Sequence, residues 1–161
     1  MDLSFHFLNL QKNINILSTK IRIMRTKIVA GNWKMNNDKN ESKALIKDLK
    51  KALKNEPLEN TRVIVAPTFV NLSSSIKAAK DSKVEVVAQN MHQAKNGAYT
   101  GEISAQMLKA IGIKTVILGH SERRTYFNET DASLAEKVDA VLENNLETMF
   151  CFGKLLEDRK S

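Results

Sequence analysis

Five short apolar runs recur from position 27 onward: KIVAGN (27–32), RVIVAP (62–67), VEVVAQN (84–90), KTVILG (114–119) and LETMFCFG (146–153). Each is strand length, and several are apolar on both faces, the pattern of strands covered on two sides. Helical stripes separate them. Leu45, Leu49, Ala52 and Leu53 mark a helix over 40–55; Leu72, Ile76 and Ala79 a shorter one. Met107, Leu108 and Ile111 suggest a third, and Leu134, Val138, Val141 and Leu142 a fourth over 129–145, with Asn128 or Thr130 as N-cap. Strand–helix alternation of this kind predicts right-handed β-α-β units and a parallel sheet.

The polar residues gather where the strands end: Asn32 and Lys34, Thr68, Gln89 and Asn90, His120 and Glu122. In parallel sheets ligands bind at the C-terminal edge. The segment VILGHSERRTYF (116–127) therefore places a histidine and three charges at such an edge. Ser121 and Glu122 open a helical turn there, whose positive end disfavours a second positive charge and favours the neutral imidazole. Lys34 offers a fixed cation for a phosphate or a developing oxyanion, and Glu122 could hold it in place. Alone, the histidine fits a structural role and the lysine a solvated one. The constellation is more specific than its parts.

Composition sets the outer bounds. The 161 residues suffice for one domain with a sizeable core, and 42% apolar with 27% charged residues describes a globular chain. No apolar run approaches the roughly 18 residues of a membrane span, so no membrane partner is expected. Cys151 is the single cysteine, which excludes an internal disulfide and fits a reducing, cytoplasmic setting. At a strand end its expected role is that of a small buried hydrophobe. The net charge of +7 is spread along stretches such as SKALIKDLKKALKNE, interleaved with acids and leucines. Solvated helix faces, with no nucleic-acid role, are the expectation; modest positive charge also attracts small anionic substrates.

Residues 1–23 differ from the rest: they contain no Gly or Pro and show no clear period. Lys12, Asn13 and Asn15 interrupt any signal-peptide core. With Met24 opening MRTKIVAGNWKMN, the stretch reads as an appendage or as the product of an early start codon, and 24–161 as the domain proper.

AGNWKMN (30–36), AQNMHQAKNGAYTGEIS (88–104), ILGHSERRTYF (117–127) and CFGKLLEDR (151–159), in this order and spacing, resemble the triosephosphate isomerases from Met24 to the end. The resemblance implies a TIM (β/α)8 barrel, incomplete here, with about five parallel strands and four helices. It implies interconversion of glyceraldehyde 3-phosphate and dihydroxyacetone phosphate through an enediolate, in glycolysis and gluconeogenesis, with no cofactor or metal. Asn32 and Lys34 match the substrate-binding pair, Lys34 being the electrostatic element. His120 matches the electrophile that polarises the substrate carbonyl and shuttles protons; its neutrality is a long-known property of the family. Glu122 matches the acid that pairs with the lysine, with Ser121 beside it. The segment from Gln89 to Glu102 matches a loop that enters the partner subunit of a homodimer, Thr100 reaching the neighbour's Asn32 and Lys34. His92 within it reads as structural. Lys154 stands where the family usually has a glutamate.

Isomerisation also needs a base for the carbon-bound proton, usually a carboxylate opposite the electrophile. In the family that glutamate and the phosphate loops follow the sixth and later strands, whereas this sequence ends after the fifth, short of the roughly 250 residues of a typical barrel. Glu122 and Glu129 are poor substitutes. A polypeptide of these residues is expected to be inactive alone. With open edges at strands one and five and all five inward faces unpartnered, it is also expected to be molten or insoluble. The non-catalytic alternative is a product that only associates with full-length subunits.

Overall fold

The computed structural model describes residues 25–153, so the N-terminal extension and Lys154 lie outside the described residues. The elements are β1 (Lys27–Asn32), α1 (Lys39–Leu53), β2 (Thr61–Ala66), a 3-10 turn (Phe69–Asn71) leading into α2 (Leu72–Ala79), and β3 (Val84–Val86). They continue with α3 (Ala105–Ala110), β4 (Thr115–Leu118), α4 (Ser121–Tyr126), α5 (Asp131–Glu143) and β5 (Glu147–Phe150). All pairings are parallel and neighbours follow chain order. β1 joins β2 from Lys27↔Thr61 to Asn32↔Ala66, β2 joins β3 at Val63↔Val84, and β4 joins β5 from Thr115↔Glu147 to Leu118↔Phe150. Past Val86 the chain bridges the two ladders. Val87 donates its N–H to Val65 O (2.9 Å), and Ala88 donates to Thr115 O (3.1 Å) and accepts from Ile117 N (2.8 Å). The third strand is thus regular only to Val86, shorter than the expected 84–90, because its second half passes from one neighbour to the other.

Local chemistry accounts for the helix starts. Asp38 caps α1 through a capping box with Glu41: its carboxylate accepts from Asn40 N and Glu41 N, and Glu41 Oε2 accepts from Asp38 N. Thr130, rather than Asn128, caps α5, with Ser133 as reciprocal partner. Five α-helices are present among the described residues, one more than the stripes predicted. The addition is α4, six residues long with none buried, which leaves no apolar period to read. It starts after Gly119, whose φ is +74° and whose added Cβ would sit 2.7 Å from Cys151 O. Only glycine fits that turn without displacing the fifth strand's backbone.

Two layers of side chains make the core. On the helix side, Val65, Val86, Ala88, Val116 and Leu118 pack with Ile46, Leu72, Leu108, Leu134 and Val141. On the concave side, Ile64, Ala66, Val87 and Ile117 are buried together, with Met149 and Cys151 against them. The inward faces of the middle strands are therefore packed, contrary to the expectation that all five would lack partners. Exposure concentrates at the edges instead: Ile28 and Val29 in β1 are 45% and 62% exposed, and Phe150 in β5 is exposed too. The helix stripes also shift by a fraction of a turn. Ser42 and Ile46 are the buried residues of α1, while Leu45 flanks them at 40% exposure. In α5 the buried set is Leu134, Lys137, Ala140 and Val141, and Leu142 is 66% exposed.

Candidate active site

The C-terminal ends of β1, β3 and β4 bring five of the expected residues together: Asn32, Lys34, Gln89, His120 and Glu122. Where the chain leaves β1, Lys34 adopts a φ of +53°, a left-handed conformation that costs a non-glycine residue energy. Two side chains hold it there. Asn32 Oδ1 accepts from Lys34 N at 3.0 Å, and Gln89 Nε2 donates to Lys34 O at 2.8 Å while also reaching Ala66 O at 2.8 Å. Gln89, assigned by resemblance to the base of the dimer loop, thus ties β3 to the Lys34 turn. Strain held this way aims a side chain, and Lys34 Nζ lies 2.5 Å from Glu122 Oε1.

His120 occupies the N-cap position of α4 and is about three-quarters buried. Its Nδ1 accepts the Glu122 N–H at 3.3 Å. An Nδ1 that accepts carries no proton, so in the neutral ring the proton sits on Nε2, where it can be donated to a carbonyl oxygen. The hydrogen bond from Lys34, aided by that lysine's charge, outweighs partial desolvation and holds the Glu122 carboxyl below the ordinary carboxylate range. Glu122 is therefore an anion engaged by a cation, and a poor proton acceptor.

The remaining expected residues are not in this cluster. Ser121 is exposed at the start of α4. Thr100 and Glu102 lie exposed on the loop that runs out after Asn90 and returns at Ser104. That loop is closed at its base by His92 N donating to Ile103 O (2.8 Å), and inside it His92 packs on Tyr99 with ring centroids 4.2 Å apart. His92 Nδ1 accepts from Ala94 N, in line with its structural reading. Cys151 is half-buried, and burial pushes its thiol up, only partly offset by Arg124; it is a packing residue and not a thiolate.

A second group of charges is joined to the site's helix, and of it the sequence reading names only Glu129 and Asn90, without the cations that hold them. Lys137 on α5 is buried; its Nζ bonds Glu129 and donates to Asn90 Oδ1 at 3.0 Å. Arg123 of α4 reaches the same Glu129 Oε1 at 3.3 Å. Burial pushes the Glu129 carboxyl up, but its two cations more than offset this and leave it below its ordinary value. The network pins the start of α5 and the end of β3 to the helix that opens at His120. Its one sequence signal is the spacing Leu134–Lys137–Val141, which puts a lysine on a buried stripe. Glu122 and Glu129, the carboxylates considered as bases, are thus both committed to cations.

A cation, its carboxylate partner and a histidine stand together at the C-terminal ends of parallel βα units, the edge at which α/β barrels bind their ligands. Residues 27–161 match the family model described as Triosephosphate isomerase. Over 138 residues the chain is 54% identical to the triosephosphate isomerase of Flavobacterium psychrophilum, covering 86% of this chain and 54% of that one. It is 52% identical to that of Flavobacterium johnsoniae and 50% to that of Clostridium acetobutylicum, with the same coverage. The chain belongs to the triosephosphate isomerase family, and it spans about half the length of the curated relatives it matches. No helix among the described residues is long and apolar enough to cross a membrane.

Proposed function

We propose that this chain carries the electrophilic half of a triosephosphate isomerase active site. A triose phosphate enters at the C-terminal edge, where Asn32 and Lys34 bind it. Nε2–H of His120 donates to the carbonyl oxygen, and the Lys34 ammonium stabilises charge as an enediolate forms. His120 then moves protons between the two substrate oxygens. Such chemistry uses no cofactor or metal. The base that takes the carbon-bound proton is not among the residues of this site, so a polypeptide of these 161 residues does not turn over by itself. The observation that carries the reading is that Glu122 engages both groups, its carboxylate the Lys34 ammonium and its N–H the His120 Nδ1.

The loop from Gln89 to Glu102 is the homodimer contact, with Thr100 directed to the neighbour's Asn32 and Lys34. The exposed Tyr99 and Met35 are the apolar surface for it. The same loop supports the non-catalytic alternative, association with full-length subunits. A cytoplasmic location follows from the family's place in glycolysis. Nitrogen NMR of the His120 ring tests the site. The expected result is a proton on Nε2, a bare Nδ1, and shifts in His120 and Lys34 signals on adding dihydroxyacetone phosphate. A proton on Nδ1, or signals that ignore the ligand, would overturn it.

A further inference from the structure

We propose that the groove between α1 and α2 binds the phosphate backbone of double-stranded nucleic acid. The sequence left its lysines as separate solvated faces; packing α1 beside α2 gathers them around one open groove of about 1390 Å³. Eight lysines line it against two acids, Asp48 and Asp81. Along α1 and its C-cap, Lys39, Lys43, Lys47, Lys51 and Lys54 follow at three- or four-residue spacing, and Lys77 faces them from α2. At 1.5 Å per residue this row extends over roughly 22 Å. None of these six is in an ion pair among the described residues. Lys50 and Lys83 are turned to the walls, donating to Lys80 O and Glu56 O.

Like charges at this spacing repel along a helix, and a polyanion that spans the row relieves the repulsion and releases its own counterions. The lining contains no aromatic residue on which a base could stack, which favours a duplex backbone over a single strand. Val70 is the one exposed large apolar residue there, too little for insertion into a lipid surface. The groove shares no residue with the Lys34–His120 site, so the proposal stands or falls independently of the isomerase reading.

The test is fluorescence anisotropy of a labelled DNA duplex with the full chain, titrated across salt concentrations. Five phosphate contacts give a log–log salt slope of about −4.5. The variant Lys43→Gln/Lys47→Gln/Lys51→Gln/Lys77→Gln should bind at least about 10-fold more weakly and lose about 4 from that slope. The variant Lys27→Gln/Lys95→Gln/Lys109→Gln/Lys114→Gln removes the same charge outside the groove and should keep most of the affinity. Equal losses in the two variants would mean net charge alone and would overturn the proposal, as would absence of binding at low salt. Tighter binding to phosphatidylserine vesicles than to the duplex would also overturn it, in favour of a lipid surface.

Discussion

Lys34 Nζ and Glu122 Oε1 lie 2.5 Å apart, joining the strained turn after β1 to the first turn of α4. The pair spans the sheet edge from its first strand to its fourth and sets the cation beside His120. Because the lysine depresses the carboxyl, Glu122 should titrate below the ordinary value of about 4.3, and Lys34→Met should return it toward that value. The sign follows: a depressed folded-state value adds stability above the unfolded one, and the contribution is lost as pH falls through the folded value. Carbon NMR of the Glu122 carboxyl during an acid titration checks this. A titration unchanged by Lys34→Met would dissociate the two residues.

The buried Lys137–Glu129 pair makes a sharper energetic prediction. Lys137→Met leaves the buried Glu129 carboxylate with Arg123 as its one remaining cation and should cost about 3 kcal/mol, the low end for a broken buried pair, whereas Lys137→Met/Glu129→Gln should recover part of the loss. Urea denaturation read by circular dichroism measures both. Since Glu129 is depressed in the folded chain, the pair's contribution should be full above roughly pH 4.3 and fade on acidification below it. A double variant no better than the single one would count against the pairing.

The alternation of strands and helices could be read from the amino-acid order because each apolar run is short and each stripe keeps one period. His120 and Lys34 were legible for a related reason: they follow strand ends directly. What escaped the reading depends on neighbours distant in sequence. The stripe Leu134–Lys137–Val141 looks like a flaw until Glu129 and Asn90 arrive to neutralise the lysine. Leu45 and Leu142 match the helical period yet sit at the flanks of helices covered on one side. The helical turn expected at Ser121 and Glu122 is present, but the six residues SERRTY bury nothing, so no stripe reveals its length.

Ser42 on α1 and Ser75 on α2 are fully buried, and neither hydroxyl has a hydrogen-bond partner among the described residues. An unsatisfied buried hydroxyl costs free energy that a methyl does not. Ser75→Ala should therefore raise stability by about 1 kcal/mol. A lower urea midpoint for the alanine variant would point to a hydrogen bond that the hydroxyl makes in solution.

The exposed rims of β1 and β5 should make the isolated chain self-associate, since an unpaired strand edge is a template for another. Sedimentation velocity should find concentration-dependent species. Val29→Lys/Phe150→Lys, which charges both rims, should shift the distribution toward monomer. A wild-type chain that stays monomeric at high concentration would contradict this.

The most direct measurement is isomerase activity of the chain alone and of a chimera in which the F. psychrophilum relative supplies the residues that follow in its own sequence. The chain alone should be inactive and the chimera active, with His120→Gln lowering kcat/KM of the chimera by about 10²–10⁴-fold and Lys34→Met by about 10²–10³-fold. Turnover by the 161-residue chain itself, or a chimera indifferent to both substitutions, would contradict this.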